Sequence, residues 1–175
     1  DIPYPSRKAG DDIRLLVFGG SQGAGVFSRV VPEAVARVAP KLPGRLRVTQ
    51  QCRREDVAPV EAAYRGLGFE AEIATFFTDL PQRIAQSHLV IGRSGASTVA
   101  ELMALGRPSI LVPYPYAIDD HQTSNAHAID EAGAGWLLPE SAFTVEGLVG
   151  RLESLLTMPR ILETPAAAAL NPARP

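Results

Sequence analysis

The sequence predicts an α/β fold: a Rossmann-like parallel sheet of about six strands with helices on both faces. Short apolar runs alternate with longer amphipathic segments, and a few turn-forming residues separate one from the next. The chain has 175 residues, of which 46% are hydrophobic and 21% are charged. This length and composition are ordinary for one soluble domain with a substantial buried core.

The apolar runs have the length and composition of strands buried in a parallel sheet. In chain order, we expect strands at residues 14–18, 46–50, 71–74, 89–91, 109–112 and 135–138. The intervening segments have the length and amphipathic pattern of helices. We expect helices at residues 25–38, 57–67, 80–86, 97–105, 122–131 and 145–156.

Both ends of the chain differ from this pattern. Residues 1–12 contain two prolines and several charges before the first strong apolar run, and we interpret them as an interdomain linker. Residues 161–175 contain three prolines and a run of alanines, with little to bury, and we expect a flexible tail. The domain itself is then predicted to span residues 13–160.

Charge and cysteine content exclude several classes of function. The net charge of -2 gives no general electrostatic reason to bind nucleic acid. The single cysteine, Cys52, cannot form an internal disulfide. No long uninterrupted apolar segment and no secretory leader is evident, so we expect a cytoplasmic chain that does not span the membrane.

The loops after the strands are the places to look for chemistry, because ligands of open parallel sheets bind beyond the carboxyl ends of the strands. The first strand runs into a glycine-rich loop, residues 19–25 (GGSQGAG). Such a loop lets the backbone approach a phosphate or sugar at the start of a helix, although a tight turn also needs small residues. Its spacing does not match the dinucleotide fingerprint, since Ser28 stands where the third glycine belongs.

A second glycine-containing turn, residues 92–101 (GRSGASTVAE), follows the fourth predicted strand and opens a helix. Glu101 comes one helical turn after Ser97, where its carboxylate could accept hydrogen bonds from two ribose hydroxyls. The structural alternative is that Ser97 caps the helix and Glu101 is a solvated surface acid.

The fifth strand is followed by a proline-stiffened loop rich in polar residues. His121, Gln122 and Asn125 fall within one turn of the next helix, a spacing that suits recognition of several sugar hydroxyls. A lone histidine is also often structural, and Asp119 or Asp120 can cap this helix. We interpret His88 and His127 as ordinary helix-end and helix-surface residues.

Several chemistries lack their sequence patterns. No zinc motif, nucleophile elbow, P-loop or Asp-x-Asp pair is present, so we expect neither a metal nor another cofactor. A diphosphate bound here would have to be neutralised by helix-start amides and cationic side chains.

Four segments in order and at matching spacing resemble the C-terminal half of the MurG family, glycosyltransferases of peptidoglycan synthesis and cell wall biogenesis. They are residues 19–24 (GGSQGA), 76–79 (FFTD), 93–101 (RSGASTVAE) and 120–126 (DHQTSNA). The resemblance implies the donor-binding half of a GT-B glycosyltransferase. It also implies a set of residues that bind UDP-N-acetylglucosamine: Ser21, Gln22, Phe77, Arg93, Ala96, Ser97, Thr98, Glu101, His121, Gln122 and Asn125.

The resemblance also implies a role for each of these residues. Phe77 would lie against the uracil and Glu101 would hold the ribose hydroxyls. The first loop and the helix start at Ala96 to Thr98 would face the diphosphate, while Arg93 would supply charge or brace the cradle. The sugar would contact Gln122 together with His121 and Asn125; at His121 some family members have glutamine instead.

The activity implied is an inverting transfer of N-acetylglucosamine to a lipid-linked muramyl-pentapeptide, which converts lipid I to lipid II. The general base and the lipid acceptor site belong to the N-terminal half of that family, so no catalytic residue is expected in this chain. The resemblance places the full-length enzyme peripherally on the cytoplasmic face of the cell membrane.

Three alternatives remain open. The chain could serve another lipid acceptor, either as part of a longer protein or as a free subunit that pairs with a membrane partner. It could be a non-catalytic nucleotide-binding module. A dinucleotide-dependent oxidoreductase is a third alternative, disfavoured by the glycine spacing.

Overall fold

The computed structural model describes residues 2–19, 25–115, 121–158 and 160–170. In these ranges, six parallel strands form one sheet in the order β3-β2-β1-β4-β5-β6. The strands are β1 (Ile13–Phe18), β2 (Leu46–Gln51), β3 (Ala71–Ala74), β4 (Leu89–Gly92), β5 (Ser109–Leu111) and β6 (Gly135–Leu137). The predicted fold class is confirmed.

The described part of the chain contains helices α1 (Gly25–Val38), α2 (Arg54–Gly66), α3 (Leu80–Ala85), α4 (Ala96–Leu105), α5 (His121–Glu131), α6 (Val145–Leu156) and α7 (Glu163–Leu170). The first six match the predicted helices. Only α2 begins well before its predicted start, because its first turn is polar: Arg53 bonds the Asp56 carboxylate at 2.8 Å across that turn. A hydrophobic pattern cannot reveal such a turn.

Helices cover both faces of the sheet, as predicted. On one face, α1, α2 and α6 bury a large apolar cluster that includes Phe27, Val35 and Leu152. On the other face, α4, α5 and α7 contribute to a second cluster around Leu102 and Ile129. Burial of these side chains is the main stabilising contribution to the domain.

Helix α7 occupies part of the segment that the sequence predicted to be a flexible tail. Ala166 and Ala169 are 3% and 0% exposed, and α7 packs against α4. Small side chains allow this close contact: a Cβ added to Gly106, at the end of α4, would lie 3.2 Å from the Ala166 carbonyl oxygen. The alanine run therefore forms a packed helix, and the prediction was wrong for residues 163–170.

Residues 2–12, the described part of the segment before β1, form no helix or strand, but several of their side chains contact the domain. The Tyr4 hydroxyl donates a 2.9 Å hydrogen bond to the His88 carbonyl oxygen, and Arg7 donates a 3.1 Å bond to that of Leu156. The Arg107 guanidinium donates to the carbonyl oxygens of Ile2 and Pro3 at 3.2 and 3.0 Å. That residues 1–12 act as an interdomain linker stays a prediction.

His88 differs from the ordinary helix-end residue that the sequence suggested. Its side chain is 4% exposed, and its Nδ1 accepts a 2.9 Å hydrogen bond from the Arg14 amide. Burial, reinforced by the charge of Arg7, lowers the pKa of His88 to about 4. The prediction failed because His88 directly precedes β4, where the chain enters the core.

None of the helices in the described ranges is both long and apolar enough to cross a bilayer.

Candidate functional site

The candidate site lies where the strand order reverses direction, between β1 and β4 at the centre of the sheet. Phe18 at the end of β1 pairs with Gly92 at the end of β4, so the loops after both strands leave the sheet side by side. A Cβ at Gly92 would lie 3.1 Å from the Phe18 carbonyl oxygen, which explains a glycine here. In open α/β sheets this reversal point is where ligands bind.

The start of α4 leaves backbone amides available for an anion. Gly95 is the N-cap residue, with extended backbone angles (φ -62, ψ 153), and no side chain caps the helix there. Ser97 is therefore inside the helix and does not cap it, contrary to the structural alternative. The free amides of a helix start attract a phosphate or carboxylate.

Glu101 lies one turn further along α4 and is half-buried. Within the described ranges, its carboxylate forms no hydrogen bond or ion pair with another residue. Each carboxylate oxygen can accept more than one hydrogen bond, so this group has the capacity to bind a pair of vicinal hydroxyls. Ser97 and Ala96 are exposed and Thr98 is half-buried beside the same helix start.

The start of α5 is joined to the β4–α4 loop by reciprocal hydrogen bonds. The Ser94 hydroxyl donates to the Gln122 carbonyl oxygen at 2.6 Å, and Asn125 Nδ2 donates to the Ser94 carbonyl oxygen at 2.9 Å. Gln122 Oε1 accepts a 2.8 Å bond from the Tyr114 amide. The structure thus brings Gln122 and Asn125 to the site, but part of their bonding capacity holds the loops together.

His121 is the first residue of α5 and is exposed. Ser21 and Gln22, the two residues predicted to bind donor from the first loop, lie outside the described residues, as do Asp119 and Asp120.

Arg93 connects the loop after β4 to the end of β5 and to Glu140. Arg93 is 7% exposed, and its Nη1 lies 3.3 Å from the Val112 carbonyl oxygen and 3.3 Å from Glu140 Oε2. The guanidinium also lies 5.2 Å from the centre of the Phe27 ring and 5.4 Å from that of Tyr114. Of the two roles expected for Arg93, these contacts favour bracing.

Phe77 lies in the loop after β3 and is half-buried against the cluster that contains Val99 and Leu102 of α4. The Arg83 guanidinium lies 4.5 Å from the centre of its ring, a cation–π contact. Arg83 is itself paired with Asp79 at 2.9 Å and with Glu72. The β3–α3 loop therefore borders the start of α4.

Sequence reasoning missed three residues that contact the loops of this site: Ser94, Glu140, and Gln51, whose Oε1 accepts a 3.0 Å hydrogen bond from the Gly19 amide after β1. Ser94 lay inside a motif but was not assigned a role. Glu140 is distant in sequence, and no pattern pairs it with Arg93. Gln51 is a polar residue at the carboxyl end of a buried strand, and that unusual position could have identified it.

Comparison with known proteins shows the family of this domain. Residues 14–174 match the model of the glycosyltransferase family 28 C-terminal domain. A relative from Paramagnetospirillum magneticum is 52% identical over the whole chain, and one from Rhodospirillum rubrum is 54% identical over 95% of it. Both are named UDP-N-acetylglucosamine--N-acetylmuramyl-(pentapeptide) pyrophosphoryl-undecaprenol N-acetylglucosamine transferase. The chain spans 47% and 43% of their lengths.

Solved structures support the same conclusion. The crystal structure of Acinetobacter baumannii MurG is 29% identical and superimposes with a TM-score of 0.83, over 94% of this chain and 49% of that one. A UDP-glucose:anthocyanidin 3-O-glucosyltransferase in complex with UDP has a TM-score of 0.70 at 15% identity, covering 91% of this chain and 34% of its own, and so shares the fold. The chain belongs to the glycosyltransferase family 28 C-terminal domains.

Proposed function

We propose that this chain binds UDP-N-acetylglucosamine as the donor half of an inverting glycosyltransferase. The observation that carries the proposal is the half-buried Glu101 carboxylate, which pairs with no other residue in the described ranges, beside the uncapped start of α4. A nucleoside diphosphate presents a diol and a diphosphate in one molecule. The carboxylate suits the ribose diol, and the helix start suits the diphosphate.

The remaining contacts follow from the same pose. The uracil would lie at the β3–α3 loop beside Phe77, since that loop borders α4 on the side of the apolar cluster. The acetamido sugar would lie toward the start of α5, where His121, Gln122 and Asn125 offer polar groups. Ser21 and Gln22 would complete the site from the first loop.

The chemical role of this half is to stabilise the departing UDP. Helix-start amides fixed by the Ser94 and Asn125 hydrogen bonds are preorganised donors for the charge that develops on the diphosphate. Preorganised donors of this kind contribute roughly 3 to 4 kcal/mol each to a transition state. Deprotonation of the acceptor hydroxyl also needs a general base, which we assign to a further domain.

The acceptor and the cellular location are proposed from the relatives. The Paramagnetospirillum and Rhodospirillum proteins are named for transfer to a lipid-linked muramyl-pentapeptide. We infer that this chain serves the same step, lipid I to lipid II, in an enzyme that works peripherally on the cytoplasmic face of the membrane.

Calorimetric titration of the chain with UDP-N-acetylglucosamine, UDP-glucose and NAD tests the proposal. The acetamido donor should bind most tightly, and NAD should not bind. Glu101→Ala should weaken UDP by about tenfold to a hundredfold, because a hydrogen bond to a charged group contributes about 1.5 to 3 kcal/mol.

Two controls make this experiment specific. Glu61→Ala removes an exposed acid of α2, on the opposite face of the sheet, and should leave the affinity unchanged. Replacing UDP by 2′-deoxy-UDP should weaken binding to the wild-type chain but hardly affect the Glu101→Ala variant. Equal sensitivity of both proteins to the 2′-hydroxyl would contradict the role of Glu101, and preference for NAD would contradict the function.

A further inference from the structure

Gln51 is the last residue of β2 and lies at the carboxyl edge of the sheet, between β1 and β3. It pairs in register with Phe18 on one side and with Ala74 on the other. Its side chain is 8% exposed, an unusual environment for a glutamine. A buried amide must be hydrogen-bonded, so its partners indicate what it does.

Both ends of the Gln51 amide bond the backbone of a neighbouring loop. Its Oε1 accepts a 3.0 Å hydrogen bond from the Gly19 amide, the first residue after β1. Its Nε2 donates a 3.2 Å hydrogen bond to the carbonyl oxygen of Thr75, the first residue after β3. One side chain therefore joins the points at which two loops leave the sheet.

The strands that precede these loops, β1 and β3, do not pair with each other. They lie about 10 Å apart, because β2 is between them. Gly19 opens the loop that carries Ser21 and Gln22, and Thr75 precedes Phe77 by two residues. In the proposed function, the β1–α1 loop faces the diphosphate and the β3–α3 loop faces the base. The Gln51 amide thus fixes the distance between two parts of one ligand site.

We propose that Gln51 is a positioning residue. It sets the spacing between the β1–α1 loop, which faces the diphosphate, and the β3–α3 loop, which faces the base. The proposal rests on the proposed function and adds a residue outside the predicted binding set. Only a neutral amide of this length supplies one acceptor and one donor at the two positions. A glutamate would place an oxygen against the Thr75 carbonyl, and a methionine would leave both backbone groups without their partner.

The test compares a ligand that spans both loops with ligands that use only one. Binding of UDP, uridine and inorganic pyrophosphate is measured by NMR titration for the wild-type chain, Gln51→Glu and Gln51→Met. Both variants should weaken UDP by about tenfold, because preorganisation of the joined subsites is lost. Uridine and pyrophosphate should each change by less than about threefold, since neither depends on the spacing.

Gln50→Leu is the matched control. Gln50 is the neighbouring buried glutamine of β2, and its Oε1 accepts a 2.6 Å hydrogen bond from Tyr64 in the core, away from the loops. This variant should lower the melting temperature yet change UDP affinity by less than about twofold.

Two results would overturn the positioning role. One is a loss of UDP affinity in the folded Gln51→Glu and Gln51→Met variants that is no larger than the loss in Gln50→Leu. The other is loss of uridine or pyrophosphate binding equal to the loss of UDP binding, because that pattern reports local damage to one loop. Failure of the wild-type chain to bind UDP would instead remove the proposed function, and this inference with it.

Discussion

At the scale of single residues, His88 links the stability of the domain to pH. Its folded-state pKa of about 4 lies below the ordinary value of 6.5, because the ring is buried and next to Arg7. Between these two values the unfolded chain binds a proton that the folded chain does not. The free energy of unfolding should therefore fall as the pH drops from about 6.5 toward 4, by up to about 1.4 kcal/mol per pH unit.

Urea unfolding at several pH values between 7 and 4 checks this prediction. His88→Gln keeps a side chain that can accept a hydrogen bond but does not titrate, so it should have a shallower pH dependence than the wild-type chain. His127→Gln, at an exposed position of α5, should keep the wild-type slope. Parallel curves for wild type and His88→Gln would show that His88 is not the responsible group.

The residue scale is also where prediction from sequence was least complete. The motifs that contain Arg93 and Glu101 (residues 93–101) and Asn125 (residues 120–126) were recognisable, because residue types and spacing are local properties of the chain. The sequence did not show which of these side chains would bond other parts of the protein, since the partners of Arg93 and Asn125 come from other loops. Gln51 was missed for the same reason: the sheet brings it next to Gly19 and Thr75, which are distant from it in sequence.

At the scale of elements, α7 stabilises the helix that forms the candidate site. It packs on α4 through Ala166 and Ala169, and α4 ends at Gly106 in a left-handed conformation (φ 65). Because the start of α4 is the proposed diphosphate site, α7 supports that site from the far end of the same helix.

A charge at the α4–α7 contact should release α7. Ala169→Asp places a carboxylate at a position that is 0% exposed, and it should lower the free energy of unfolding by about 2 kcal/mol. Ala167→Asp adds the same charge to an exposed position of the same helix and should cost less than about 0.5 kcal/mol. Urea unfolding and amide hydrogen exchange of α7 measure both effects. Equal stability of the two variants would mean that α7 contributes little.

Most elements could be predicted because each one has a repeating pattern of burial. Strands β1 and β4 consist mostly of apolar residues, and helices α1 and α6 have an apolar stripe at helical spacing. Helix α7 could not be predicted in this way, because alanine contributes little to such a pattern. What makes it a helix in the domain is close packing against α4, a tertiary contact that no local window contains.

At the scale of the whole molecule, the division of labour between domains is the main expectation. The chain covers about half the length of its named relatives, and we propose that its candidate site holds a donor. Among the described residues of that site, the one histidine that could serve as a general base is His121. We assign it to the sugar and not to the acceptor. We therefore predict that the chain binds donor but does not transfer it.

Transfer assays with a chimera test this division. The purified chain, given UDP-N-acetylglucosamine and a lipid-linked muramyl-pentapeptide, should release no UDP above the buffer rate. Joining it to the N-terminal part of the Rhodospirillum rubrum relative, which is 54% identical over the shared region, should restore transfer. Glu101→Ala in that chimera should raise the KM for the donor, because ribose recognition is lost, whereas Glu61→Ala should not. Turnover by the chain alone would place a general base in this half and contradict the proposed division, since donor binding and acceptor activation would then share one domain.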